Sequence, residues 1–132
     1  MEKKNVLFLL TPKANVACLN ETMNIRQALE KMKAHGYTAV PLISMDGKYL
    51  GTISEGDLLW YVINSDQITM EGLEDVNITQ VLRKDDMPAV KVDADIKELV
   101  EKITNHNFVP VVDDRNVLMG IVTRKKVMQE LI

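Results

Sequence analysis

With 132 residues, 46% hydrophobic and 27% charged, the chain is sized for one compact, soluble body that can bury a core without staples. Its formal net charge of −3 argues against a general nucleic-acid or membrane-surface binder, because such proteins carry a basic excess. A lone cysteine, Cys18, cannot close an internal disulfide, so a reducing, cytoplasmic setting is expected.

The first apolar run, Val6-Leu-Phe-Leu-Leu10, is five residues long and has no small-residue cleavage pattern behind it. No stretch approaches the roughly 20 apolar residues of a membrane span. The first clear helix begins at Asn24. Ile25, Ala28, Leu29 and Met32 form one apolar stripe, Asn24 with Gln27 has capping-box spacing, and Gly36 suits a left-handed stop. Two strands follow, 39–43 and 49–53, around the hairpin pair Asp46-Gly47. Pro41 cannot donate to a ladder, so it is expected at a strand tip or edge. Ser54 then caps a helix, Asp57-Leu-Leu-Trp-Tyr-Val-Ile63, that is apolar nearly all round and therefore expected to be buried on two sides, the second against another subunit.

Residues 66–77 are polar and acidic and read as a connector, followed by a short helix at 78–82. The second long helix carries Ile96, Leu99, Val100 and Ile103 on one stripe, Asp95 with Glu98 as its cap and Asn107 as its stop. Strands 109–112 and 117–122 flank the turn Asp113–Asn116, Pro110 again marks a tip or edge, and Thr123 caps a last helix.

These elements repeat. Ile25, Glu30, Lys31 and His35 recur as Ile96, Glu101, Lys102 and His106, at an offset of 71. Val40-Pro41 and Gly51 recur as Val109-Pro110 and Gly120, at an offset of 69, so the second copy is two residues shorter after its helix. Tyr37 and Phe108 also align. The chain is therefore read as an α/β (α+β) fold of two β-α-β-β-α copies, with residues 1–65 as the first repeat, 66–77 as the connector and 78–132 as the second repeat.

The order helix, Gly36-Tyr-Thr-Ala-Val-Pro-Leu-Ile43, Asp46-Gly47, Leu50-Gly-Thr-Ile-Ser54 and Asp57 resembles a CBS domain, and two in tandem resemble a CBS pair, or Bateman module. Lys13, Val16-Ala17, Gly36–Pro41, Phe108-Val109 and Thr123-Arg-Lys125 are similar to stand-alone bacterial CBS proteins that bind cyclic di-AMP. The resemblance implies two copies packed about a pseudo-two-fold axis, with adenosyl ligands in clefts between them. One cleft would use Val16, Ala17, Tyr37, Thr38, Ala39 and Pro41 for the adenine, and Thr123, Arg124 and Lys125 for ribose and phosphate, with Lys13 also at the nucleotide. Lys126 stands there in place of the family's aspartate. A second cleft would use Ala89, Phe108, Val109 and Pro110 with Ser54 and Asp57, where the aspartate is kept but Glu55 lies beside it.

Each place also has a plain structural reading. Thr123 could simply cap its helix, but three cations in a first turn oppose the helix dipole, a cost that an anionic ligand would offset. Ser54 and Asp57 have capping spacing and need no ligand. Tyr37 and Phe108 could stack on a base or fill a helix–strand corner. His35 and His106 suit helix C-terminal turns, and no metal is expected of them.

The chain shows no Walker loop, Gly-x-Ser-x-Gly or His-Glu-x-x-His, which argues against a small enzyme such as a nucleotide hydrolase. The expectation is a non-catalytic regulatory sensor of an adenine nucleotide (cyclic di-AMP, AMP, ADP or ATP), a homodimer that signals to a target protein and needs no cofactor. Neither nucleic acid nor membrane is expected as a partner. The alternative is a ligand-free dimerisation or protein-interaction module.

Overall fold

The computed structural model describes residues 5–65, 69, 71–82 and 88–131. Parts of the expected connector (66–68 and 70) and of the expected second repeat (83–87 and 132) lie outside the described residues. In chain order the elements are α1 (Val6–Leu9), β1 (Thr11–Pro12), a 3-10 turn at Lys13–Asn15, β2 (Leu19–Asn20), α2 (Ile25–His35), β3 (Ala39–Ile43), β4 (Tyr49–Ser54) and α3 (Glu55–Asn64). Then come 3-10 turns at Gly72–Asp75 and Ile78–Val81, β5 (Val90–Lys91), α4 (Ile96–Ile103), β6 (Phe108–Val112), β7 (Leu118–Thr123) and α5 (Arg124–Leu131). The β-α-β-β-α order read from the sequence is present twice, from β2 to α3 and from β5 to α5.

Contacts divide the chain into two compact units. One is contiguous, residues 17–86; the other is composite, residues 1–16 with 87–132. The contiguous unit has a three-stranded sheet in the order β2-β3-β4, with β2 parallel and β4 antiparallel to β3. Its core joins Leu19, Ile25, Ala28, Met32, Val40, Leu42, Ile53 and Leu58. The α2 cap is reciprocal. Asn24 Oδ1 accepts from Gln27 N at 2.8 Å, and Gln27 Oε1 accepts from Asn24 N at 2.9 Å. Gly36 ends the helix at φ 68°, a left-handed position that costs glycine least. α3 buries Leu58 but leaves Leu59, Trp60 and Ile63 more than half exposed, so the chain covers only one side of it.

The composite unit has a four-stranded sheet in the order β1-β7-β6-β5. Val6 and Leu9 of α1 are buried in its core with Val90, Leu99, Ile103, Val109, Val111, Val122 and Val127. Behind them β1 pairs antiparallel with β7, Pro12 opposite Gly120. A Cβ at Gly120 would lie 2.1 Å from the Thr11 carbonyl oxygen, so only glycine admits this strand.

The contact division differs from the expected boundary at residue 65. Residues 1–16 join the second repeat. In the other direction, Leu73, Ile78 and Val81 enter the core of the first, with Ile25 N donating to Val76 O at 3.0 Å and Ile78 N to Met23 O at 2.9 Å. The reason is symmetric. Each repeat leaves one side of its core open, and the segment ahead of the other repeat supplies the apolar pair that closes it: Val6 and Leu9, or Ile78 and Val81.

Three expectations are corrected. Pro41 and Pro110 sit in the central strands, β3 and β6, not at edges. They are tolerated because each parallel neighbour is two residues long and pairs only with Leu42 and Ile43, or Val111 and Val112, just past the proline. α4 stops at Ile103, with Thr104 right-handed at its C-cap, so Asn107 is not the stop. Thr104 Oγ1 donates back to Val100 O at 2.8 Å, beside the main-chain bond from Thr104 N to the same oxygen at 3.2 Å. His106 therefore lies beyond the helix rather than in its last turn, where His35 does lie.

Candidate functional site

Of the residues expected in the first cleft, Ala17, Tyr37, Thr38, Ala39 and Pro41 belong to the contiguous unit, and Lys13, Val16, Thr123, Arg124 and Lys125 to the composite one. Of the second set, Ser54 and Asp57 belong to the contiguous unit, and Ala89, Phe108, Val109 and Pro110 to the composite. The residues of each expected set are thus divided between the two units.

In the contiguous unit, Tyr37 and Thr38 are exposed just ahead of β3, Ala39 is half-buried and Pro41 buried. The Tyr37 ring stacks on His35, centroids 5.6 Å apart and nearly parallel, and is 43% exposed. The Thr38 carbonyl accepts from Glu55 N at 2.8 Å, which ties the entrance of β3 to the start of α3. Ser54 and Asp57 form a full capping box. Asp57 N donates to Ser54 Oγ at 3.1 Å, and Ser54 N to Asp57 Oδ2 at 2.9 Å. The structural role of this pair therefore stands without any ligand. Beside it, a groove of about 550 Å³ runs between α2 and α3. Leu29, Met32, Leu58 and Val62 line it, with Lys33 and Glu55 at its rim.

In the composite unit, the equivalent corner carries Arg124 and Lys125. A groove of about 600 Å³ is lined by Asn107, Thr123, Arg124, Lys125, Met128 and Gln129. Asn107 O accepts from Arg124 N at 2.8 Å, the same bond as Thr38 to Glu55. Thr123 Oγ1 accepts from Lys126 N at 3.1 Å, so it caps α5 as expected. The three cations divide. Arg124 turns back: Nε donates to Ile103 O at 3.2 Å and Nη2 to Thr104 O at 3.4 Å. There the guanidinium meets the negative end of α4, which offsets its poor fit at the positive end of α5. Lys126 pairs with Glu130 at 3.5 Å. Lys125 is exposed and has no ion pair among the described residues. The 3-10 turn carrying Lys13 packs against β7, the strand that ends at Thr123. Phe108, Val109 and Pro110 are buried and Ala89 half-buried.

Strand register corrects one alignment. Ala39 opposes Ser54 and Phe108 opposes Thr123, so Phe108 takes the place of Ala39, and Tyr37 that of His106. The two-residue deletion lies between helix and strand. Tyr37 is an exposed ring and Phe108 a buried one.

Two contacts were visible in the sequence only as recurrence. Lys31 Nζ donates to Cys18 O at 2.6 Å, and its counterpart Lys102 Nζ donates to Ala89 O at 3.4 Å. The repeated lysine was the signal; its partner is a main-chain atom, which no side-chain pattern can announce.

The family model of the CBS domain matches residues 9–64 and 78–132. Cyclic di-AMP receptor B of Bacillus subtilis (strain 168) is 28% identical over 108 residues, 82% of this chain and 73% of that protein. A homoserine O-acetyltransferase of Methanococcus vannielii is 24% identical over 115 residues, and the chain spans only 22% of that protein. Among solved structures, CbpB in complex with c-di-AMP superposes with a TM-score of 0.89 at 26% identity, covering 97% of this chain and 84% of that one. No helix among the described residues is long and apolar enough to cross a membrane.

Proposed function

This chain belongs to the CBS-domain family, and from that premise we propose that it is a non-catalytic, cytoplasmic sensor that binds an adenine nucleotide between its repeats and signals to a target protein. Cyclic di-AMP is the first ligand to expect, ahead of AMP, ADP and ATP. The observation that carries the reading is likeness along almost the whole chain to a protein solved with c-di-AMP. In the proposed site, the main chain around Val16, Ala17 and Ala39 takes the base, beside Tyr37. Phosphate lies at the start of α5, where Lys125, the Thr123 hydroxyl and the positive helix end favour an anion. Arg124 serves first to hold α4 to α5.

A thermal-shift panel of AMP, ADP, ATP, cyclic di-AMP, NAD and S-adenosylmethionine tests the reading. A ligand at 100 times its Kd stabilises the folded state by about 2.7 kcal/mol, so cyclic di-AMP should raise the melting temperature by several degrees. Indifference to every nucleotide would sink the proposal. Lys125→Ala should weaken cyclic di-AMP about tenfold, the worth of one charge-assisted contact, with little change in the unliganded melting temperature.

A second reading rests on Leu59, Trp60 and Ile63. An exposed apolar helix face of this kind suits a homodimer contact. A stable dimer with a melting curve indifferent to all nucleotides would favour a ligand-free interaction module instead.

A further inference from the structure

The chain passes between its two units twice, at residues 16/17 and between the described residues 82 and 88. Shortly after each passage, a lysine from the following helix takes hold of the main chain. Lys31 of α2 donates to Cys18 O at 2.6 Å; Lys102 of α4 donates to Ala89 O at 3.4 Å. Donors and acceptors correspond across the repeat (31 with 102, 18 with 89), so the same device is built in both copies.

A lysine on a helix surface ordinarily leaves its ammonium in water, and holding its long side chain in one geometry costs rotamer entropy. Spending the charge on a neutral carbonyl makes sense where the carbonyl's segment must be held still. A hydrogen bond with an ionised donor is roughly twice as strong as a neutral one. The copies are unequal. Lys102 is shared with Glu98 Oε1 at 3.1 Å and reaches its carbonyl at the long limit, whereas the Lys31 contact is short.

We propose that Lys31 is a positioning residue for the nucleotide: its ammonium fixes the main chain of Ala17-Cys18 against α2 and so pre-forms that part of the segment that reads the base. The inference rests on the proposed function, which gives that segment to the adenine. A segment already held loses little entropy when ligand binds, while a loose one must be ordered at that moment, at the expense of affinity. Lys102 holds Ala89 in the same way, less firmly.

The test uses the full chain with Lys31→Met, Lys31→Gln, Lys31→Arg and Lys102→Met. Its first arm needs no nucleotide. Cys18, the lone cysteine, lies in the held segment, so its rate of reaction with an aromatic disulfide reagent reports local opening. Lys31→Met and Lys31→Gln should speed it about tenfold, the worth of the lost charged contact, and independently of low denaturant, as local opening requires. Lys31→Arg should stay close to the parent, and Lys102→Met should leave it unchanged. The second arm titrates cyclic di-AMP. Lys31→Met should weaken binding about tenfold, Lys102→Met less, and Lys31→Arg should restore most of it.

An unchanged thiol rate in Lys31→Met and Lys31→Gln would overturn the clamp whatever the nucleotide does. A faster thiol with parental affinity would leave the clamp but overturn its role in binding. Absence of binding by the parent chain would instead sink the proposed function, and the positioning role with it, while the thiol arm still reads the contact itself.

Discussion

The contiguous and composite units are built on one plan, and they differ at the corner where each last helix begins. In the contiguous unit, α3 starts with Glu55 and a closed capping box, and the groove beside it is apolar. In the composite unit, α5 starts with Arg124, Lys125 and Lys126 after the Thr123 hydroxyl cap, and Arg124 and Lys125 line the groove beside it together with Met128. The shared plan comes from the core. Leu19, Met32, Val40, Leu42, Ile53 and Leu58 stand where Val90, Ile103, Val109, Val111, Val122 and Val127 stand. The lesson is that duplication preserves what packs and frees what does not. Two-fold equivalence holds inside, while the helix starts have diverged towards one neutralised end and one cationic end.

The largest expected effect tests the exchanged lead-in segments. Leu9→Ala and Ile78→Ala each empty a fully buried site, and each should cost about 2–5 kcal/mol. Leu9→Ala should lower protection of composite-unit amides in hydrogen exchange, and Ile78→Ala those of the contiguous unit. The opposite pattern would break the assignment of residues 1–16 to the second repeat. Next comes Gly120→Ala, which drives a methyl into the Thr11 carbonyl and should cost about 1–3 kcal/mol in denaturant unfolding. A neutral result would mean that β1 is not seated on β7.

The caps sharpen the comparison further. Ser54→Ala breaks one arm of a two-way box and should cost about 1 kcal/mol, with Thr123→Ala somewhat less because its single bond serves a helix start already crowded with cations. Equal losses in thermal denaturation would argue that the two helix starts are energetically alike. Smallest is a pH effect confined to the contiguous unit. The Ser44 hydroxyl holds the Asp46 carboxyl below the ordinary carboxylate value. A depressed folded-state pKa gives stability that is complete above the unfolded value, about 3.9, and is lost as pH falls through the folded one. Ser44→Ala should therefore lower stability slightly at neutral pH, where that contribution is complete, and leave it unchanged below the folded-state pKa, so the acid limb of the stability profile becomes shallower.

Much of the fold was legible because it rests on local chemistry. The stripe from Ile25 to Met32, the Asn24–Gln27 and Ser54–Asp57 boxes, the Asp46-Gly47 hairpin and the two copies themselves all follow from spacing and residue type. At the candidate site, the Thr123 cap followed from its spacing. The orientation of Arg124 was not readable, because its partners are the carbonyls of α4, some 20 residues away in sequence. Asn107 failed as a helix stop because the helix ends at Ile103, with Thr104 right-handed at its C-cap.

What the sequence determined by itself is the repeated unit and its helix starts, since hydrophobic period and capping are set within a few residues. What only the tertiary structure decided is which segment closes which core, where the prolines fall within the sheets, and what the charged side chains hold. Val6 and Leu9 are equally apolar whichever repeat they cover, and Lys31 carries the same charge whether it faces water or the Cys18 carbonyl. Those choices depend on which open core side, strand end or carbonyl lies within reach, and distance through space is the one quantity that residue order does not carry.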